Sequence, residues 1–160
     1  MSDFVNVDSA VAKLSKEHKI INDYVGKFVK GKKEKKPGFF DSLNNFVNIL
    51  ERDLKKHFEM EELAFFPAAI QGANDYNTTL TVLALQKDHG ALEKQLEVVI
   101  SIMEDPVKIN DEKIEVLDNF FNYLKIHAKR EFTELFPLIE QEIKCKTLLM
   151  KYIGERRAEF

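Results

Sequence analysis

Two short stretches carry side chains able to hold a metal ion, and they are written alike. Residues 57–67 read HFEMEELAFFP and residues 127–137 read HAKREFTELFP, so His57/His127, Glu61/Glu131, Phe66/Phe136 and Pro67/Pro137 stand at matching offsets. His18 and His89 complete the set of four histidines in the chain, and each lies upstream of one of these stretches. Imidazole nitrogens and carboxylate oxygens are ligands for divalent transition metals. A buried carboxylate costs several kcal/mol unless positive charge compensates it. No Lys or Arg falls on the apolar seams near these residues, so cations are the expected compensation.

The elements that would position them read as four helices. Asp8 or Ser9 caps the first, which runs to about Gly31; the second runs from about residue 39 to Gly72. A third starts near Asn77 or Thr78 and ends before Pro106, and Asn110 or Asp111 caps a fourth that continues to about Lys144. The tail CKTLLMKYIGERRAEF predicts a short further helix, with Gly154 weakening its end. Pro67 and Pro137 are expected to bend or end the second and fourth helices.

Apolar residues recur at alternating spacings of three and four along each helix, which marks a core-facing stripe. The first carries Val11, Leu14, His18, Ile21, Val25 and Phe28; the third carries Val82, Leu85, His89, Leu92, Leu96, Val99 and Met103. On the second are Leu43, Val47, Leu50, Leu54, His57 and Glu61, and on the fourth Leu117, Phe120, Leu124, His127, Glu131, Leu135 and Leu138. Every histidine therefore sits on a seam. An all-α fold is predicted, an antiparallel up-down-up-down four-helix bundle forming a single domain over 1–160. Its two hairpins cover about 9–72 and 77–144.

Counting along the helices brings the four imidazoles to one level, with Glu61 and Glu131 side by side one turn beyond. His18 to His89 is 71 residues and His57 to His127 is 70, so each hairpin supplies His and then HxxxE. Such half-sites suit a pair of metal ions. With no thiolate at the site, structural zinc of the cysteine kind is excluded. Four imidazoles and two carboxylates suit iron, with manganese or zinc as competitors. If both glutamates bridge and an oxo or hydroxo group is shared, an octahedral ion keeps one open position. Dioxygen, nitric oxide, peroxide or azide could bind there.

Other acids read as bystanders. Glu59 and Glu62 lie about 200° and 140° round the helix from His57 and are expected to be solvated. Glu17 and Asp88 each precede a histidine and read as surface charges. Glu93, four residues after His89, is a candidate seventh ligand, or else a rim acid, and Glu134 is a candidate rim group.

Composition limits the partners. The net charge of −3 gives no general attraction to nucleic acid, and the basic run KGKKEKKPG at 30–38 reads as a solvated loop. No apolar run is long enough to span a membrane and the N-terminus lacks a signal-peptide pattern, so a cytoplasmic location is expected. The single cysteine, Cys145, excludes an internal disulfide and reads as a small buried residue. Nothing in the sequence identifies a protein partner.

His18, HFEME at 57–61, His89 and HAKRE at 127–131 together resemble the hemerythrin-like HHE cation-binding family, over about residues 9 to 143. The resemblance implies a four-helix bundle with a non-haem centre of two iron ions. His18, His57, His89 and His127 would be terminal ligands, and Glu61 and Glu131 would bridge. Oxygen-carrying hemerythrins have a fifth histidine where this chain has Glu93, which argues against simple oxygen transport. The four-His, two-Glu set is closer to the di-iron domains of proteins that repair iron centres. Those carry an N-terminal domain with paired cysteines, and no such pair occurs in this sequence. The expected function is binding of dioxygen or nitric oxide for sensing, storage or scavenging. Alternatives are an enzyme acting on nitric oxide, peroxide or ferrous iron, an iron-sulfur-centre repair-like protein, and a domain in which metal mainly holds the helices together.

Overall fold

A computed structural model describes residues 7–34 and 37–156. Four long helical rods pack around a common core: α1 (Val7–Glu34), α2 (Pro37–Met60) continued by α3 (Phe66–Ala73), α4 (Tyr76–Met103), and α5 (Asp111–Arg130) continued by α6 (Phe136–Gln141). A final helix, α7 (Ile143–Glu155), closes one end. The α1 rod lies against α2 and α5, and α4 against the same two, so the four rods form a square. This is an all-α helical bundle, as the periodicity predicts.

The starts of the second hairpin's helices are set locally. Asp75 caps α4 by accepting a hydrogen bond from the Thr78 backbone N–H at 2.8 Å. Asn110 caps α5 by accepting from the Lys113 N–H at 3.0 Å. The α4 cap thus lies two residues before the predicted Asn77, because Asn74 takes the left-handed conformation (φ 50°) that ends α3 and turns the chain at once. The basic run differs more from its prediction. Helix α1 continues through Glu34 and α2 begins at Pro37, leaving only 35–36 outside the described residues. Lys32 there donates to Asp118 at 2.9 Å, tying α1 to α5. The predicted fourth helix stops at Gln141, since Glu142 is extended before α7 begins.

Neither proline ends its rod. Instead the turn before each widens: Glu61–Phe65 and Glu131–Leu135 are π-helical. In them the N–H of Phe66 donates to the Glu61 carbonyl and that of Phe136 to the Glu131 carbonyl. A proline ring crowds the carbonyl four residues before it and supplies no N–H, and a wider turn relieves the crowding without breaking the rod. Glu61 and Glu131 are the first residues of these turns.

The core has two apolar halves. One, with Phe28, Phe46, Leu92, Val99, Leu117 and Phe121, fills the bundle below the histidine level. The other, with Leu14, Phe65, Ala68, Leu85, Leu135 and Ile139, lies beyond it and is covered by Cys145, Leu149 and Ile153 of α7. Burial of each Leu or Phe contributes about 1.5–3 kcal/mol, so both halves have stability of their own. The approach of α7 to α3 is close. A Cβ on Gly72 would stand 2.6 Å from both the backbone nitrogen and the sulfur of Cys145, so only glycine fits there. Cys145 is fully buried, as the sequence reading expects. No helix among the described residues is long and apolar enough to cross a membrane.

Candidate metal centre

Between the two apolar halves lies a single polar layer. The buried polar residues there are His18, His57, Glu61, His89, His127 and Glu131, and both glutamates are fully inaccessible. One histidine comes from each of α1, α2, α4 and α5, because each occupies a seam position where a hydrophobic residue would otherwise sit. The glutamates follow one turn later, on the first residue of each π-helical turn.

The ring nitrogens converge in pairs. His18 Nε2 stands 3.2 Å from His57 Nε2, and His89 Nε2 stands 3.1 Å from His127 Nε2. Glu61 Oε1 is 3.0 Å from His57 Nε2 and 3.7 Å from His89 Nε2, so it touches both pairs. Glu131 Oε1 is 2.5 Å from His127 Nε2. Two groups of four ligand atoms result, each within 4.8 Å: His18, His57, Glu61 and Glu131, and Glu61, His89, His127 and Glu131. Both carboxylates belong to both groups. All six predicted site residues are therefore brought together, and the geometry supplies two adjoining places for a cation.

Charge balance within the layer favours that use. None of the four carboxylate oxygens of Glu61 and Glu131 has a hydrogen-bond partner among the described residues. Their close approaches to imidazole nitrogen lack hydrogen-bond alignment, and proximity alone does not satisfy a buried oxygen. A metal cation would satisfy all of them at once. The donor set of imidazole nitrogen and carboxylate oxygen fits a divalent first-row ion.

Protonation of the rings reflects the same field. Burial, reinforced by repulsion from His57 and His127, lowers the His18 pKa to about 3. Burial likewise takes His89 down to about 2, with His127 and His57 adding to the shift. His127 is also lowered, by burial first, against the opposing pull of Glu61 and Asp88. His57 is the exception: burial acts to lower it, but Glu61 and Glu17 outweigh that effect and hold it near 10. The layer thus retains its lone pairs on three rings, while His57 holds a proton that a bound cation would displace.

Three acids read as bystanders from the sequence turn out to orient the rings. Glu17 accepts from His57 Nδ1. Asp88 accepts from His127 Nδ1 at 3.1 Å and also from the Tyr123 hydroxyl at 2.5 Å. Glu62 accepts from His89 Nδ1 at 3.0 Å. Each N–H so held turns the Nε2 lone pair toward the centre, the usual arrangement behind metal-binding histidines. Angles measured from the seam of one helix miss these partners, because each acid reaches the neighbouring helix. A signal was present for two of them: Glu17 and Asp88 precede His18 and His89 at the same register in the two halves. For Glu62 no signal existed, since the π-helical turn that begins at Glu61 changes the helical phase. Glu93 is exposed and belongs to neither ligand group. Its charge nonetheless helps burial raise the Glu62 pKa. Glu134 is exposed and lies 3.8 Å from Arg130.

A cavity of about 250 Å³ opens between α1 and α2 and reaches this layer. Ile21, Phe46, Leu50, Leu54 and Met60 line its apolar part, and His57 with Glu17 forms part of its wall.

No curated protein and no solved structure matches the chain. A family model does, that of the hemerythrin HHE cation-binding domain, over residues 9–139. That stretch covers all but the outermost two residues of the first and last rods and includes all six layer residues, and by this match the chain belongs to the hemerythrin HHE cation-binding family.

Proposed function

We propose that the chain holds two iron ions in the polar layer and binds dioxygen or nitric oxide there, for sensing, storage or scavenging. The observation that carries this reading is the set of bare carboxylate oxygens on Glu61 and Glu131, buried among four convergent imidazoles. His18 and His57 would hold one ion, His89 and His127 the other, and the two glutamates would span both. Iron supplies a redox-active ion with room for a diatomic ligand. The chain supplies a Phe-rich enclosure: Phe58 stacks on His89 at 3.8 Å, and Phe136 on His18 at 5.4 Å. Such an enclosure limits water near a bound gas. Ring orientation comes from Glu17, Glu62 and Asp88. In this reading the protein works in the cytoplasm.

A second reading is favoured by the cavity beside His57, whose volume exceeds the need of a diatomic molecule. In it the same centre turns over peroxide, nitric oxide or ferrous iron. One experiment separates the two. The protein is loaded with ferrous iron under argon and exposed to dioxygen or nitric oxide, and its visible absorption is followed. Reversible binding predicts a new absorption band that disappears when the gas is removed. Irreversible bleaching or oxidation counts against it, and sustained consumption of the gas or of peroxide indicates the enzyme.

A further inference from the structure

The two halves of the polar layer are related by a register of 70–71 residues, and most of the layer obeys it. His18 matches His89, His57 matches His127, Glu61 matches Glu131, and Glu17 matches Asp88. The stacking partners match too: Phe136 lies on His18 at 5.4 Å and Phe66 on His89 at 5.3 Å.

Two positions break the relation, and both lie around one pair of histidines. Glu62, which accepts from His89 Nδ1, is matched by Phe132, a residue 59 % exposed. Phe58, stacked on His89, is matched by Ala128. His18 therefore lacks both supports, and its Nδ1 is buried with no hydrogen-bond partner among the described residues. Exposure follows the same division. His18 and His57 are 4 % and 7 % accessible, against 1 % and 2 % for His89 and His127.

We propose that the two cation positions are unequal, that the His89/His127 position fills first, and that Glu62 sets this order. The inference rests on the proposed cation site. A carboxylate on Nδ1 fixes the tautomer that presents Nε2 to a metal and makes that nitrogen a stronger donor. His89 has this partner, and His127 has one in Asp88, itself held by the Tyr123 hydroxyl and lying 3.6 Å from Arg130. His57 has Glu17, but His18 Nδ1 has no partner among the described residues. When His18 turns Nε2 to an ion, its N–H points into a buried place where no described residue offers an acceptor. Loss of such a partner weakens metal binding by about 10–100-fold. The chain then passes through a form holding one ion whenever cation is scarce, and the full pair assembles only at higher supply. Glu62 is a positioning residue here, acting on the metal through His89.

Titration of metal-free protein with cobalt(II), read by the visible bands of the bound ion and by calorimetry, tests this. The wild-type chain is expected to bind two equivalents in separate steps, with affinities about 10–100-fold apart. His18→Ala removes the weaker step and keeps the tighter one, and His89→Ala removes the tighter one. Glu62→Ala weakens the first step until the two merge. Phe132→Glu, a change at an exposed position, strengthens the second step. Two equal, unresolved steps in the wild type overturn the ordering but leave the cation site standing. Loss of the tighter step in His18→Ala does the same. Failure to bind cobalt at all overturns both.

Discussion

Replacement of Glu61 by alanine removes metal from both positions. On the proposed reading, the iron content is expected to fall from two ions per chain toward none. The reason is geometric: Glu61 belongs to both ligand groups, with one oxygen 3.0 Å from His57 Nε2 and 3.7 Å from His89 Nε2. Each place for a cation then loses an anionic donor, and Glu131 alone remains to join them. A histidine variant acts differently, since each imidazole belongs to one group only. His18→Ala is expected to leave about one ion per chain. Metal analysis of both variants, purified as folded protein with native helix content, provides the comparison. A Glu61→Ala protein that still carries two ions would contradict the shared-ligand arrangement.

Removal of metal by a chelator destabilises the bundle without unfolding it. The metal-free layer contains two fully buried carboxylates whose oxygens have no hydrogen-bond partner among the described residues. A ligand present at a thousand times its dissociation constant stabilises the native state by about 4 kcal/mol. For a chain of this length that corresponds to a fall in Tm of roughly 8–16 °C on chelation. The apolar clusters on either side of the layer bury many Leu and Phe side chains that lie away from the ligands, and they are expected to stay packed when metal is removed. Helical circular dichroism at 25 °C should therefore persist. Collapse of the helix signal on chelation would instead identify the metal as the main structural support, as in small domains that fold only when loaded. An unchanged Tm would mean that the layer holds no ion worth several kcal/mol.

Much of this arrangement was legible in the sequence because helices convert spacing into position. The seam around His89, with Leu85 and Leu92 flanking it, specifies one buried face, and all three residues are buried. The repeat of His, HxxxE and Phe-Pro at a fixed offset implied two equivalent hairpins, and the six side chains do meet at one level. Local events were less legible. Pro67 and Pro137 read as bends or ends; neither ends its rod, and the turn before each is widened. The lysine-rich stretch read as a loop, but Lys32 finds Asp118 on α5 and α1 continues to Glu34. The orienting acids escaped because Glu17, Glu62 and Asp88 each act across to another helix, where single-helix angles give no information. The asymmetry at His18 depends on two substitutions within the repeat, Phe132 for Glu62 and Ala128 for Phe58. Their meaning appears only once the partners of His89 are known.

The most direct test of the central claim is anomalous X-ray diffraction from crystals of the iron-loaded protein, recorded on both sides of the iron absorption edge. Two iron peaks are predicted between Glu61 and Glu131, one beside His18 and His57 and the other beside His89 and His127. Crystals of protein assayed to contain iron, yet showing no iron peak within this layer, would contradict the account.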